Sequence, residues 1–387
     1  MCKNFNIDEI LNGKQRLQWG INMNFVMFKP LGLTTFLGLL GLAGPTIAQE
    51  TAKPDVATIT EAWLNSPHAD RGAEAFVHWD DEGEVPGDCA VCHTATGMAD
   101  YLATDRSAVG VLEHSVPVGT VVECATCHND TAQQLSTAIF PSGEAAEMGN
   151  SAICATCHQG RASSDSVTAA VGDAEADVVM PELGFINVHY KAAAATQMGD
   201  LARGGYQYAG KTYAGPFAHV PDLNSCTTCH NPHTTEPAAV ETCATCHKDV
   251  TEFSVIRTTP IDVDGDGDVT EGIALEIAAL QDVLGDAIMV YAKQIAGTPI
   301  VYDAHAYPYF FVDTDENGAV TEGEAIFPNR FQSWTPRLLK AAYNYQYVAK
   351  DTGAYVHNPH YAIQLLYDSI QSLSEAADID MAGLARP

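Results

Sequence analysis

Basic side chains are scarce. The 387-residue chain carries 19 Lys and Arg against 49 Asp and Glu, a formal charge of −30. Nucleic-acid binding needs basic surface to displace phosphate counterions, so this balance excludes it. A surface this acidic repels its own copies and attracts cations or basic partners. Its plainest reading is a solvated face. An apolar run long enough to span a membrane is also missing. The stretch from Leu31 to Ala43 falls short of the about 20 residues a spanning helix needs. Cysteine is absent from the last third of the chain, after Cys246.

The cysteines that are present leave almost none over for disulfides. Ten of the 11 fall in five C-x-x-C-H units. These are Cys89-Cys92-His93, Cys124-Cys127-His128, Cys154-Cys157-His158, Cys226-Cys229-His230 and Cys243-Cys246-His247. The other, Cys2, lies at the extreme N-terminus. C-x-x-C-H is the attachment signature of c-type haem: two thioethers to the porphyrin and one proximal imidazole on the iron. Zinc also uses C-x-x-C pairs, but it has no need of a histidine after every one. Five haem c groups are therefore expected.

The N-terminus fits export. From Met23, a single Lys29 precedes the apolar run, and Thr46-Ile47-Ala48 supplies small residues for cleavage, the pattern of a secretory signal peptide. Residues 1–22 read as an upstream extension, cleavage is expected near Ala48, and no cysteine there invites a lipid anchor. Residues 49–387 keep 15 basic and 47 acidic residues, a formal charge of −32. No transmembrane helix is expected in the mature chain. It is expected to cross the inner membrane and act in the periplasm or outside the cell.

The expected fold is mainly α with much irregular loop. Residues 49–250 read as a multihaem cytochrome c domain packed around covalent haems. From Cys89 to His247 there are roughly 32 residues per motif, too few for an ordinary apolar core, so the porphyrins would serve as one. Residues 251–387 read as a C-terminal helical domain. Ile277, Leu280, Leu284, Ile288, Tyr291 and Ile295 repeat at helical spacing. A second helix is expected over Thr335–Lys350, and a third from Asn358-Pro359, an N-cap followed by proline.

Function turns on the sixth iron ligand. Iron with two histidines passes electrons, whereas iron with an open position can bind a substrate. Nine histidines lie outside the motifs, enough for five distal ligands. The distal candidates are His78, His189, His219 and His233, then His68 and His114, with His357 the favoured residue from the C-terminal region. His233 follows His230 by three residues, a reach of at most about 10 Å. That is too short to pass round a porphyrin edge, so His233 is expected to serve a different haem. No C-x-x-C-K variant is present.

Two acidic loops suit calcium. Asp313-Thr-Asp-Glu-Asn-Gly-Ala-Val-Thr-Glu-Gly-Glu324 fits an EF-hand loop throughout, with ligands expected from Asp313, Asp315, Asn317, the Ala319 carbonyl, Thr321 and a bidentate Glu324. The stretch from Asp262 begins as well, with Asp262, Asp264, Asp266 and Gly267, but Ile273 stands where the closing glutamate belongs. Asp268 or Glu271 is expected to fill in, or the loop binds weakly. One Ca²⁺ is expected, with a second at the weaker loop, both as structural clamps.

The segments GFINVHYKAAAA, GGYQYAGKTYAGPFAHVPDLNSCTTCHNPH and NRFQSWTPRLLKAAYNYQY resemble the polyhaem, membrane-associated cytochromes c of environmental bacteria. That resemblance implies electron transfer at the cell envelope with redox partner proteins there. KDTGAYVHNPHYAIQLL is also similar to the C-terminal helix of multihaem nitrite and hydroxylamine enzymes, which implies haem ligation by His357. The ordinary C-x-x-C-H sites do not carry over their catalysis. The reading is an electron carrier rather than an enzyme. Its rivals are a small-oxyanion or nitrogen-compound reductase with one open haem, and a self-assembling extracellular filament.

Overall fold

The structure, a computed structural model, describes residues 55–387 except Tyr190, Asp222 and Thr258. The N-terminal extension and signal segment expected over residues 1–48 lie outside the described residues.

The chain from Asp55 to Val250 is built from short helices, turns and two small antiparallel strand pairs. One pair joins Glu84–Val85 to Val116–Pro117 across two intervening helices, and the other is a hairpin of Thr137–Ile139 with Ala145–Glu147. Each C-x-x-C-H motif forms or adjoins one turn of helix. The helices are Gly87–His93, Cys124–Cys127, Ala152–Cys157, Cys226–Cys229 and Val240–Cys243. The histidine N–H closes the turn by donating to the first cysteine's carbonyl, at 2.8 Å for His128 and 2.7 Å for His230. Residues three and four apart share a helix face, so this turn presents both thiols and the imidazole together. Two of these turns are too short to hold alone, and reciprocal capping boxes stabilise them: Glu123 with Thr126, and Ser225 with Thr228.

Three long helices follow where the sequence places them. They are Ile273–Tyr291, Pro336–Lys350 and Pro359–Ser374. Thr335 caps the second by accepting from Leu338 N at 3.2 Å, and Asn358 caps the third by accepting from Tyr361 N at 3.2 Å. The apolar stripe Ile277, Leu280, Leu284, Ile288 and Tyr291 is buried against the other two helices. Each such side chain contributes about 1.5–3 kcal/mol by leaving water. A third strand pair, Ile300–Tyr302 with Phe310–Val312, lies between the first two long helices in the chain.

These helices grip the interval between the third and fourth motifs. Asn344 accepts from Tyr206 N at 2.6 Å and donates to Tyr206 O at 2.9 Å. Tyr343 OH donates to Gly204 O at 2.8 Å, and Gln346 Oε1 accepts from Val188 N at 3.0 Å. All of these groups are buried, where an unpaired amide would cost about 1–3 kcal/mol. The C-terminal helices thus fix the chain on either side of His189, over residues 188–206. Among the described residues no helix is long and apolar enough to cross a membrane.

Candidate functional site: five imidazole pairs and two acidic loops

The five motif histidines each face a second histidine. His93 faces His189 with ring centroids 6.0 Å apart, and His128 faces His233 at 6.1 Å. His158 faces His68 at 6.2 Å, His230 faces His357 at 6.3 Å, and His247 faces His219 at 6.0 Å. A metal held between two imidazoles, at about 2 Å per metal–nitrogen bond, sets the centroids roughly 6.2 Å apart. The residues therefore fit a six-coordinate haem iron at all five motifs. None of the ten motif cysteines is in a disulfide, so each could form a thioether.

Six of the ten rings are also held toward the neutral form that a ligand imidazole needs. Burial holds His158 down to about 4, with the neighbouring His68 adding to it. Burial likewise holds His189 down to about 4, with His93 beside it. His68, His93, His219 and His230 are pushed below the ordinary histidine value by the same desolvation. His357 differs: burial opposes its charge, but Asp351 outweighs that and raises it.

Two ring orientations are set by a second partner. His93 Nδ1 meets the Ala75 carbonyl at 2.7 Å, and Trp79 lies edge-on to its ring. His357 Nδ1 meets both oxygens of Asp351, at 2.8 and 2.9 Å. Gly353 allows this, since a Cβ there would come 2.7 Å from the His357 ring.

Five of the seven sequence candidates thus reach a motif histidine: His68, His189, His219, His233 and His357. His233 faces the second motif rather than the fifth, its neighbour in the sequence. Among the described residues neither His78 nor His114 pairs ring to ring with a motif histidine, although His78 lies near enough to His93 for its charge to act there. His78 sits four residues after Glu74 at the end of a helical turn and pairs with that carboxylate at 2.9 Å. His114 meets Asp100 at 3.2 Å. Both are local contacts that distance from a cysteine in the sequence does not reveal.

The motifs pack on one another, with the third in the middle. Cys92 Sγ lies 3.9 Å from Thr156 O, and Cys157 Sγ lies 4.0 Å from Val91 O, so the first and third motif helices abut. Ser151 Oγ accepts from Cys226 N at 3.0 Å, which joins the third to the fourth. His68, the partner of His158, accepts from Val122 N at 3.2 Å just before the second motif. The fourth and fifth motifs are close in the chain, and Cys229 adds to the upward push that burial gives the Cys243 thiol.

The acidic loops are shaped like ion sites. Carboxylate oxygens of Asp313, Asp315 and Glu324 lie within 4.8 Å of one another. Glu324 Oε1 accepts from Thr314 N at 2.6 Å, and Asp313 accepts from Gly318 N at 2.8 Å. Gly318 has φ +78°, a conformation that favours glycine. Asn317 Oδ1 accepts from Ala319 N at 2.7 Å, and Thr321 Oγ1 meets Asp315 at 3.4 Å. A strand, Phe310–Val312, precedes this loop and a 3₁₀ turn, Phe327–Asn329, follows it, so the flanking helices of an EF-hand are absent.

In the other loop the missing acid comes from further along the chain than expected. Glu276, one turn into the Ile273–Tyr291 helix, joins Asp262 and Asp264. Its Oε2 accepts from Val263 N at 2.7 Å, just as Glu324 accepts from the second residue of its own loop. Glu271 joins Asp264 and Asp266. Asp268 instead turns to Thr270 N at 2.8 Å. Arg257 also binds Glu276.

Motif turns that offer two thiols and an imidazole, each opposite a second imidazole, define the multihaem c-type cytochrome class, and comparison with known proteins agrees. Residues 110–175, which hold the second and third motifs, match the family model described as cytochrome c7 and related cytochrome c. The chain is 28% identical over 370 residues to the C-type polyheme cytochrome OmcB of Geobacter sulfurreducens, covering 81% of this chain and 47% of that protein. It is 26% identical over 364 residues to the C-type polyheme cytochrome OmcC of the same organism, covering 78% and 44%. The chain spans about half the length of the curated relatives it matches. No solved structure matches it.

Proposed function

We propose that this chain is a pentahaem electron relay, exported to the periplasm or the cell exterior, with bis-histidine ligation at every haem. The observation that carries this is the set of five imidazole pairs at 6.0–6.3 Å, each with one motif histidine. Haem c, when bound, supplies a one-electron iron couple. The cysteines of each motif would anchor it, and the paired histidine rings would hold its iron. A second imidazole opposite every motif histidine would leave a substrate no open position on the iron. That favours relay over a reductase with an open iron. Completion of every pair within one chain likewise favours it over a filament in which one copy supplies a ligand to the next.

Packing of the motifs gives the relay its shape. The third site is the junction, in contact with the first, second and fourth, and the fifth lies beyond the fourth. Redox partners at the cell envelope would meet the outer sites, and the net charge of −30 favours basic ones.

The domain reading is of a haem region to residue 250 and a helical region from 251, braced together. The helical region contributes His357 directly and carries Ca²⁺ at Asp313, Asp315, Asn317, Ala319, Thr321 and Glu324. A second, weaker ion is held by Asp262, Asp264 and Asp266 with Glu276 and Glu271. Arg257 already neutralises part of Glu276, which is why this site is the weaker one.

The test is a haem count by pyridine haemochrome together with optical spectra of the purified protein. Five haems per chain, an oxidised spectrum without a high-spin band and no CO adduct on reduction are expected. A high-spin band or CO binding to the native protein would overturn the relay reading in favour of a reductase.

A further inference from the structure

The first and fourth sites flank the third, and the charges beside them are of opposite sign. At the fourth, His357 gives its Nδ1 to Asp351 at 2.8 and 2.9 Å. Asp351 is only 5% exposed, so solvent screens it little. A carboxylate on the far nitrogen of a ligand imidazole makes that ring more basic and a stronger donor to the metal. At the first site, His93 gives its Nδ1 to a neutral backbone carbonyl, that of Ala75. Arg161 lies there instead, with Nη1 3.9 Å from Cys89 Sγ. Its charge also acts on His93 and His189, the two rings of that pair. Asp88 stands at the same motif and opposes Arg161 in part. Arg161 and Asp88 are both exposed, so water and salt weaken each of them.

We propose that Asp351 makes the fourth site the hardest of this trio to reduce and that Arg161 makes the first the easiest, so that the fold itself points electrons from the fourth site through the third to the first. This rests on reading the five ring pairs as haem ligands. The sign follows from charge. Reduction takes one positive charge from the iron, so a nearby carboxylate favours the ferric state and a nearby guanidinium the ferrous state. No bond is made or broken. One electron comes from a one-electron donor protein and leaves to a one-electron acceptor. Asp351 acts through His357 and is a positioning and tuning residue.

The experiment is a spectroelectrochemical titration of the full chain with all five haems attached. Asp351→Asn should raise one midpoint potential by about a tenfold change in the reduction equilibrium, about 59 mV for one electron. Asp351→Glu should restore it, which a merely structural role would not require. Arg161→Gln should lower a different potential by roughly threefold in the equilibrium, a smaller effect because the side chain is screened. Arg161 is exposed, so this variant reads the other end even where Asp351→Asn folds poorly. Five unchanged potentials, a lowered potential in Asp351→Asn, or one haem answering to both substitutions would overturn the proposal. Fewer than five low-spin haems in the unmodified protein would instead overturn the ligand reading beneath it.

Discussion

His233 faces His128 with ring centroids 6.1 Å apart and the two planes only 8° from parallel. The residue sits three positions after His230, yet it faces a motif histidine about a hundred residues upstream. This contact sets the turn of the fourth motif beside that of the second.

Removal of His233 should therefore open the second site and no other. His233→Ala is expected to yield one high-spin haem per chain and to bind one CO on reduction, while four haems stay low-spin. Optical titration with CO measures the stoichiometry. If the opened haem proves to be the one on Cys226 and Cys229, the pairing is wrong.

The angle between ligand planes gives a second signature. Parallel imidazoles split the iron dπ orbitals, whereas crossed ones leave them nearly degenerate. The second site, at 8°, should give a rhombic low-spin EPR signal, and the first, at 76°, a highly anisotropic one. His233→Ala should erase the rhombic component selectively.

His78 and His114 supply the control. They pair with Glu74 and Asp100 rather than with a motif ring. His78→Ala and His114→Ala should leave all five haems low-spin, and stability should change by less than about 1 kcal/mol, as for exposed ion pairs. A high-spin band in either variant would contradict the pairing.

Calcium should act on stability rather than on the spectrum. With free Ca²⁺ at about a hundred times its Kd, binding adds about 2.7 kcal/mol, and chelation should lower Tm by roughly 5 °C. Glu324→Gln should remove most of this effect. Glu276→Gln should cost stability even in the chelated protein, because Glu276 is buried and receives Val263 N and Arg257. Calorimetry with and without chelator separates the two.

Arg337 joins the haem region to the helical one. It donates to Asp177 Oδ1 at 2.6 Å, to Ser372 O at 2.6 Å and to Glu375 at 2.7 Å. Arg337→Ala should cost about 1–3 kcal/mol, as for a charged group removed from several hydrogen bonds. The Arg337 hydrogen bond, more than burial, sets the Asp177 carboxyl below its ordinary value. A depressed carboxylate stabilises the fold above its unfolded value, near pH 4, and loses that contribution as pH falls through the folded value. Arg337→Ala should flatten acid unfolding in that window, and a curve that keeps its slope would count against the contact.

Some of this was legible in the residues. The five motifs, the three long helices and the 313–324 loop are local patterns. A helical turn puts Cys, Cys and His on one face, and a stripe at three- and four-residue spacing buries one side of a helix. Those relations need only neighbours in the chain, so sequence determined them. It also bounded His233, because three residues cannot reach round a porphyrin.

Pairing was a different matter. Which histidine meets which motif depends on where loops of tens of residues come to rest. The residues rank His78 ahead of His68 and His114 just behind it, yet a carboxylate one helical turn away or across a loop holds each of His78 and His114. Tertiary structure alone placed His357 against His230 and Asp351 behind it, and brought Glu276 to a loop that lacks its own closing acid. Contacts between residues far apart in the chain depend on packing, such as that of the C-terminal helices on residues 188–215, and such packing has no period in the sequence to read.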